Sequence, residues 1–599
     1  MEDKLSKIRH SLAHVMAAAV QEIYPDVKFG IGPVVENGFF YDFDFPTQEG
    51  NKTQLTAEVL PEIEKRMKGI IKKGLPIEQE FFDIEKALKD SKVAGQVYKK
   101  ELLEEIKKGE RPGPESDAEK SKDGKVSFYK IGGFADLCKG PHAKNTKELP
   151  ADGFKLTRIA GAYWKGDSSK PQMQRIYGVA FGSKKELDAH LEFLKEVEKR
   201  DHRKLGAELD LFTFSELVGP GLPLWTPKGT LMRDLLDNFV WELRKKYGYE
   251  KVDIPHITKK DLFEKSGHWE KFKDELFKIN TREGHLFAMK PMNCPYHTQI
   301  YARKNFSYRE LPQRYASTTK VYRDEQTGEL AGLSRVRAIT QDDAHVFCRF
   351  PQVKEEMTKI WEIVAEFYKA AGFKLEIRLS LHDPKHMEKY LGSEEIWQKA
   401  ENQLREIIKT KKAKATEAKG EAAFYGPKID FMAKDSIGRE WQVATIQLDM
   451  NLPERFDLTC INEKGERERI AMIHAAIMGS IERYLSVLIE HFAGAFPIWL
   501  SPVQTVVIPV SEKFEPYAIK VSEKIREEGI RLELDLKNES VGKKIREAEL
   551  QKIPYILVVG EKEQKSRSVA VRQRSKGDLG PMKLDKFVEN IKKEITEKK

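Results

Sequence analysis

From Leu231 the apolar positions recur four apart, at Leu231, Leu235, Phe239 and Leu243, with Met232, Leu236 and Val240 beside them. That spacing predicts an amphipathic helix over 229–247, which runs into the extended YEKVDIP and stops at Pro255. A different rhythm holds over 320–347, KVYRDEQTGELAGLSRVRAITQDDAHVF, where a turn-forming QTGELAG separates two extended runs and predicts a hairpin. From 501 onward strand and helix patterns alternate: TVVIPV, a helix, RLELDL, a second helix, PYILVVG, SVAVRQR and a last helix. This predicts a separate α/β domain of about a hundred residues. The first ~200 residues mix short helical and strand patterns, and a charged helical stretch over 184–206 reads as a domain connector. Two segments lack any apolar period: GERPGPESDAEKSKDGK at 109–125, a surface loop, and KTKKAKATEAKGE at 409–421, a solvated loop or frayed helix.

Parity concentrates chemistry in the hairpin. On the return run Arg335, Arg337, Gln341, Asp343 and His345 are all odd-numbered, while Val336, Ala338, Ala344 and Val346 alternate with them and Asp342 is the exception. Side chains alternate across a strand, so one face gathers two guanidiniums, an amide, a carboxylate and an imidazole. Arg323 and Glu325 share one face of the outgoing run in the same way. A merely wet face would favour Lys, Glu and Thr; this set suits a site that clamps phosphates and orients a small polar substrate.

Composition narrows the field. A chain of 599 residues has room for several domains of ~150 each, and 40% apolar with 33% charged residues fits soluble globular domains. No apolar run approaches the ~18 residues a membrane span needs, and the charged start MEDKLSKIRH has no signal core, so no membrane and a cytoplasmic location are expected. The net charge of +9 permits a polyanionic partner without demanding one. Residues 501–599 hold 22 Lys/Arg against 17 Asp/Glu, so more than half of that excess lies there. Four cysteines, none spaced as a pair, exclude a disulfide framework. Neither HExxH nor GxxxxGK[ST] occurs, which disfavours a zinc hydrolase of that type and a P-loop ATPase. Near the start, RHSLAHVMAAAV sets His10 and His14 four apart on one helix face, and ADLCKGPH supplies Asp136, Cys138 and His142 on a Gly-Pro loop. By ligand type alone HxxxH with CxxxH is a zinc site; two surface histidines and a packed cysteine are the bland alternative.

Arg323 within YRDE, a loop and then RVR resemble the second signature motif of class II aminoacyl-tRNA synthetases. The helix and strand ending at Pro255 resemble the first, typically part of a homodimer interface; HAAIMGSIERYL, with Gly479 and Arg483, resembles the third. Together MNCPYH, TQDDAH, AFYGPKIDF and MIHAAIMGSIER are similar to the threonyl-tRNA synthetase family, over residues 1 to about 597. The resemblance implies a multidomain chain of α/β and α+β parts. An α+β editing domain with its connector would cover 1–198, a class II antiparallel-sheet core 199–498, and an α/β anticodon-binding domain 499–599. It implies ligation of L-threonine to tRNA(Thr) through an adenylate, with hydrolysis of mischarged seryl-tRNA(Thr). A synthetase-like RNA-binding paralogue and a zinc hydrolase are the alternatives.

Position by position, the resemblance gives Arg323 the ATP α-phosphate, Glu325 the adenine amino group, and Arg335 and Arg483 the terminal phosphates, with Mg2+ bridging them. Lys428 joins Arg323 and Arg483 as catalytic. Ile339 stands where the family usually stacks an aromatic ring on adenine, and Tyr296 replaces a small residue in MNCPxH. Cys294, His345 and His474 match the ligands of one zinc per subunit; separations of 51 and 129 residues make no local motif. Three protein ligands leave positions for threonine's amino and hydroxyl groups, with Asp343 accepting the hydroxyl proton and Tyr425, Gln442 and Gln447 around the amino acid. Gln442 and Gln447 have opposite strand parity, so a bulge is needed for both to face the substrate. His10, His14, Lys99, Asp136, Cys138 and His142 would form the editing pocket, without a permanent metal. Asn538, Glu563 and Arg572 match base-reading positions of the anticodon domain, with Arg574 and neighbouring lysines on phosphate. The small domain that commonly precedes the editing domain is expected to be missing.

Overall fold

The computed structural model describes residues 2–48, 51–52, 54–89, 93, 95–109, 124–167 and 169–598. The expected loop at 109–125 lies almost entirely outside them. The chain divides into two compact units, 1–195 and 196–599.

In the first unit the helix Glu2–Ile23 buries an unbroken apolar stripe, Leu12, Val15, Met16, Ala19 and Val20, against strand Gly38–Asp44 and helix Leu60–Lys73. That strand is central in a five-stranded antiparallel sheet with Phe154–Tyr163 and Gln172–Ala180. A second sheet of three strands, Ile77–Asp83, Lys125–Ile131 and Phe134–Leu137, carries the Gly-Pro loop at its end.

The second unit is built on eight strands in the order Glu250–Lys251, Gln313–Tyr322, Ala338–Cys348, Ala471–Ala476, Glu440–Asp449, Lys428–Lys434, Leu375–Leu381 and Ala415–Lys419. Every pairing is antiparallel except at the two edges. The helix foreseen over 229–247 spans Pro227–Lys246; Thr226 caps it by accepting from Gly229 N–H, and Met232, Leu236, Phe239, Val240 and Leu243 enter the core. The charged connector is two helices, Lys184–Arg200 and His202–Glu208, because Asp201 caps the second through Arg203 N–H. Within 409–421 the expected loop contains the edge strand Ala415–Lys419: its backbone pairs in parallel with Leu375–Leu381 while its charged side chains stay in solvent. Residues 505–583 form a five-stranded mixed sheet; its last strand, Gly577–Lys583, has no apolar run to announce it.

The hairpin exists, with Gln313–Tyr322 paired to Ala338–Cys348, but its connection is longer than the parity argument assumed. Arg335 and Arg337 precede the return strand, and Arg323 and Glu325 follow the outgoing one. They are loop residues, so strand alternation does not set their direction. Only the bond from Arg323 N–H to Arg337 C=O carries the ladder one step further.

Candidate functional site

Register solves the spacing that sequence left unexplained. His345 lies directly opposite His474, His474 opposite Gln447, and Gln447 opposite Lys428, so a single row across four strands lines up four expected site residues on one face. Cys294, first residue of helix Cys294–Tyr301, completes a buried group with His345 and His474 whose ligand atoms all lie within 4.8 Å of one another. Residues 51 and 129 apart along the chain thus become neighbours through strand pairing.

The hydrogen bonds around this trio orient its lone pairs. His345 Nε2 lies 3.0 Å from His474 Nδ1, while His345 Nδ1 faces His297 Nδ1 at 2.7 Å and His474 Nε2 donates to Asp449 at 2.9 Å. His297 Nε2 in turn meets Ser317 Oγ at 3.1 Å. With Nε2 donating to Asp449, His474 keeps Nδ1 as the acceptor that faces His345 Nε2, and a cation between the two rings would take the place of that hydrogen bond. Burial, with His474 and His297 nearby, holds His345 well below the ordinary imidazole range, so it stays neutral. Burial and the carboxylates of Asp343 and Asp449 push the Cys294 thiol up. A cation between these three groups would reverse that penalty and displace the thiol proton. Two imidazoles with outer-shell partners, His297 and Asp449, plus one thiol are a zinc-type donor set, and three ligands leave coordination open.

Asp343 sits on the same face; burial raises its carboxyl to about 6, opposed by His474 and by the 3.1 Å bond from Asn293. Asp342, the parity exception, turns into the opposite layer, where it accepts from Ile477 and Met478 N–H at 2.8 Å and pairs with Arg244 at 2.5 Å. It fastens the turn that precedes the helix Ile481–Phe492 bearing Arg483. The bulge required for the glutamines is present: Gln442 pairs with Met432 and Ala444 with Phe431, leaving Val443 extra, so Gln442 and Gln447 share a face. Gln447 accepts from Tyr425 OH at 2.6 Å, and the Tyr425 ring stacks on His474 at 4.6 Å. Gln442 and Lys428 instead converge on Asp430, at 2.8 and 2.9 Å.

On the loop, Arg323 is half-buried over the Phe272 ring at 4.9 Å, with its Nε lacking a partner. Glu325 is buried and held by Arg335 at 2.6 Å, so two expected ATP contacts are paired with each other. Arg483 is exposed beside Trp441, 5.9 Å from its ring, and Ile339 lies on the return strand opposite Val321. Sequence reasoning missed His268, His297, Asp430 and Asp449. His268 is buried with its Nε2 3.3 Å from Cys294 Sγ. Only the CPYH spacing, which sets His297 one turn after Cys294, gave any local signal.

In the first unit His10 and His14 are 5% and 2% exposed, which rules out the surface-histidine alternative. Cys138 Sγ lies 3.3 Å from both His10 Nε2 and His142 Nε2, and His142 Nδ1 is 3.2 Å from Ser11 Oγ. Lys99 Nζ pairs with Asp136 at 2.6 Å, and Tyr41 OH donates to the other oxygen of that carboxylate. All six expected residues therefore meet, and Tyr41 and Ser11 join them.

In the last domain Asn538 is exposed and Arg572 is half-buried, 3.8 Å from Glu549. Glu563 accepts from Gly560 N–H and so caps its own helix. Arg574 is exposed and donates to the carbonyls of Lys552, Ala495 and Phe496, which fix the position of its guanidinium.

An eight-stranded sheet, antiparallel except at its edges, with a buried His/His/Cys trio and an arginine-bearing loop has the architecture of a class II synthetase. Residues 277–492 match the class II tRNA synthetase core domain (G, H, P, S and T), 504–594 the anticodon binding domain, and 126–177 the threonyl and alanyl tRNA synthetase second additional domain. The threonine–tRNA ligase of Porphyromonas gingivalis is 48% identical over 98% of this chain and 87% of its own length. That of Thermus thermophilus is 46% identical over 99% and 89%, and that of Gloeobacter violaceus 44% over 100% and 93%. Among solved structures, the RNA binding domain of threonyl-tRNA synthetase from Cryptosporidium parvum superposes with TM-score 0.62 at 37% identity, covering 66% of this chain and 98% of that one. The chain belongs to the threonine–tRNA ligase family.

Proposed function

We propose that this chain ligates L-threonine to tRNA(Thr) through a threonyl-adenylate and hydrolyses seryl-tRNA(Thr) in its first unit. The observation that carries the reading is the registered pair His345 and His474 closed by Cys294, on the sheet face that also bears Asp343 and Gln447. Bound at Cys294, His345 and His474, zinc would supply a Lewis acid with positions open to the amino and hydroxyl groups of threonine. Asp343 then accepts the hydroxyl proton, Tyr425 and Gln447 wall the amino acid, and Lys428 and Gln442 act from the Asp430 side. Valine, without a hydroxyl, leaves the site unsatisfied and is rejected; serine lacks only a methyl, worth ~1–3 kcal/mol, so a second filter is needed.

Arg323, with an unpartnered Nε, takes the α-phosphate, and Arg335 exchanges its bond to Glu325 for the terminal phosphates shared with Arg483 and Mg2+. Glu325, once released, accepts from the adenine amino group over Ile339. In the first unit His10, His14 and Cys138 position water and ester, with Lys99, Asp136 and His142 around them. Asn538, Glu563 and Arg572 read the anticodon. The division into domains 1–198, 199–498 and 499–599 is supported by the unit boundary at 195/196 and the matched ranges. The subunit works as a homodimer in the cytoplasm: strand Glu250–Lys251 ends the catalytic sheet with no outer neighbour among the described residues, and no described helix is long and apolar enough to cross a membrane.

The test combines metal analysis with amino-acid-dependent pyrophosphate exchange and charging. One zinc per subunit, exchange driven by threonine and a charged product that survives with threonine but not serine are expected. Metal-replete protein inert with threonine would overturn the reading.

A further inference from the structure

The short helix His202–Glu208 follows Asp201, and its first residue performs a task that neither the metal trio nor the arginines explain. His202 is 5% exposed. Its Nδ1 lies 2.6 Å from Glu490 Oε1, and its Nε2 accepts a 3.0 Å hydrogen bond from the backbone N–H of Leu333. Nε2 accepts only if it carries no proton, so Nδ1 is the protonated nitrogen and donates to Glu490. Leu333 belongs to the connection between the hairpin strands, two residues before Arg335. Glu490 belongs to the helix Ile481–Phe492, two turns after Arg483.

The remaining groups close the arrangement. Glu490 also accepts from Arg439, whose guanidinium lies 5.3 Å from the Trp441 ring; Arg483 lies 5.9 Å from that same ring. Ser334 Oγ meets Ser486 Oγ at 3.0 Å, a second tie between loop and helix. Gly332 takes φ +56°, and a Cβ there would fall 2.3 Å from His202 Nε2, so the loop approaches the imidazole as closely as a backbone can. Asp201, His202 and Glu490 have metal-ligand chemistry, yet each is engaged: Asp201 with Arg203, His202 with Leu333 and Glu490, Glu490 with Arg439. The cluster is a joint.

We infer that His202 is a positioning residue for ATP: its imidazole fastens the return arm of the Arg323–Arg335 loop to the helix that carries Arg483. Two arginine-bearing elements distant in sequence are thereby held at a fixed separation before nucleotide arrives. Such pre-organisation lowers the ordering cost at the moment of binding. The inference rests on the proposed role of those arginines in gripping ATP.

The substitutions His202→Asn and His202→Gln separate the two ends of the imidazole. Asn reaches as far as Nδ1 and keeps the Glu490 bond while losing the acceptor for Leu333; Gln reaches Nε2 and keeps that acceptor. Steady-state pyrophosphate exchange on the full chain is expected to show KM for ATP raised roughly tenfold in His202→Asn, the loss of one buried hydrogen bond, and restored to within about twofold by Gln. KM for threonine stays unchanged in both. Should His202→Asn not fold, Gly332→Ala breaks the same contact from the loop side and is expected to raise KM for ATP, non-additively with His202→Ala. A folded His202→Asn or Gly332→Ala with wild-type KM for ATP, or equal losses for both substrates, overturns the clamp. An inactive wild-type chain would instead overturn the synthetase reading, so the two failures are distinct.

Discussion

The two histidine–cysteine clusters use the same residue types, and in each the ligand atoms lie within 4.8 Å of one another. Their surroundings differ. In the catalytic sheet each histidine has its outer nitrogen engaged, His345 by His297 and His474 by Asp449, so the inner nitrogens face each other at 3.0 Å. In the first unit Cys138 sits between His10 and His142, His14 Nδ1 has no partner, and the one carboxylate, Asp136, is taken by Lys99 and Tyr41. Outer-shell acceptors prepare a metal site; a carboxylate already neutralised by an ammonium does not. Proximity of ligand types is therefore a poor guide unless the second ring of partners is traced.

The largest effect expected is at Cys294. Cys294→Ser should release the metal and drop threonine-dependent pyrophosphate exchange by roughly a hundredfold or more, beyond the loss an outer-shell partner alone would cause. Full activity in metal-free protein would remove the zinc reading. Next, His10→Ala with His14→Ala should slow seryl-tRNA hydrolysis by about 10²–10⁴, the scale of general acid–base assistance, with threonylation intact. Wild-type deacylation by that variant refutes the editing assignment. Smaller, and sharper as a contrast, is the matched pair Asp449→Asn and Asp136→Asn. The first should weaken zinc binding about 10–100-fold by titration against a chelator, while the second leaves zinc content unchanged. Equal zinc loss in the two variants would erase the distinction between the clusters.

Much of this was legible in the sequence because local patterns point at local structure. The HxxxH spacing placed His10 and His14 on one helix face, and the parity conflict of Gln442 and Gln447 demanded a bulge that strand Glu440–Asp449 supplies at Val443. What could not be read depends on register and on loops. Nothing in the chain says that His345 faces His474, because strand pairing is decided by the sheet as a whole. Parity failed for Arg335 and Arg337 because the ladder ends before them, and beyond it a loop sets direction by its own contacts, here with Glu325 and Gly221. Arg574 shows the same dependence on tertiary contacts: its guanidinium is held by three carbonyls that no local pattern announces.

The smallest expected effect concerns protons. Burial, with His10 and Lys99 nearby, holds His14 well below 6.5, and burial with His14 and His10 does the same to His142. An unfolded chain protonates these rings near pH 6.5, while the native form leaves them neutral. Below that pH the unfolded state binds more protons, so stability falls as pH drops and is flat above the unfolded value. The loss amounts to about 1.4 kcal/mol per histidine at pH 5.5. Native-state hydrogen exchange of the helix Glu2–Ile23, compared at pH 7.5 and 5.5, should show it, and His14→Asn should remove one histidine's share. A wild-type helix equally protected at the two pH values would mean these imidazoles are protonated when native. A chelator should leave the loss unaltered, because burial and the neighbouring His10 and Lys99 are enough to keep the proton off His14.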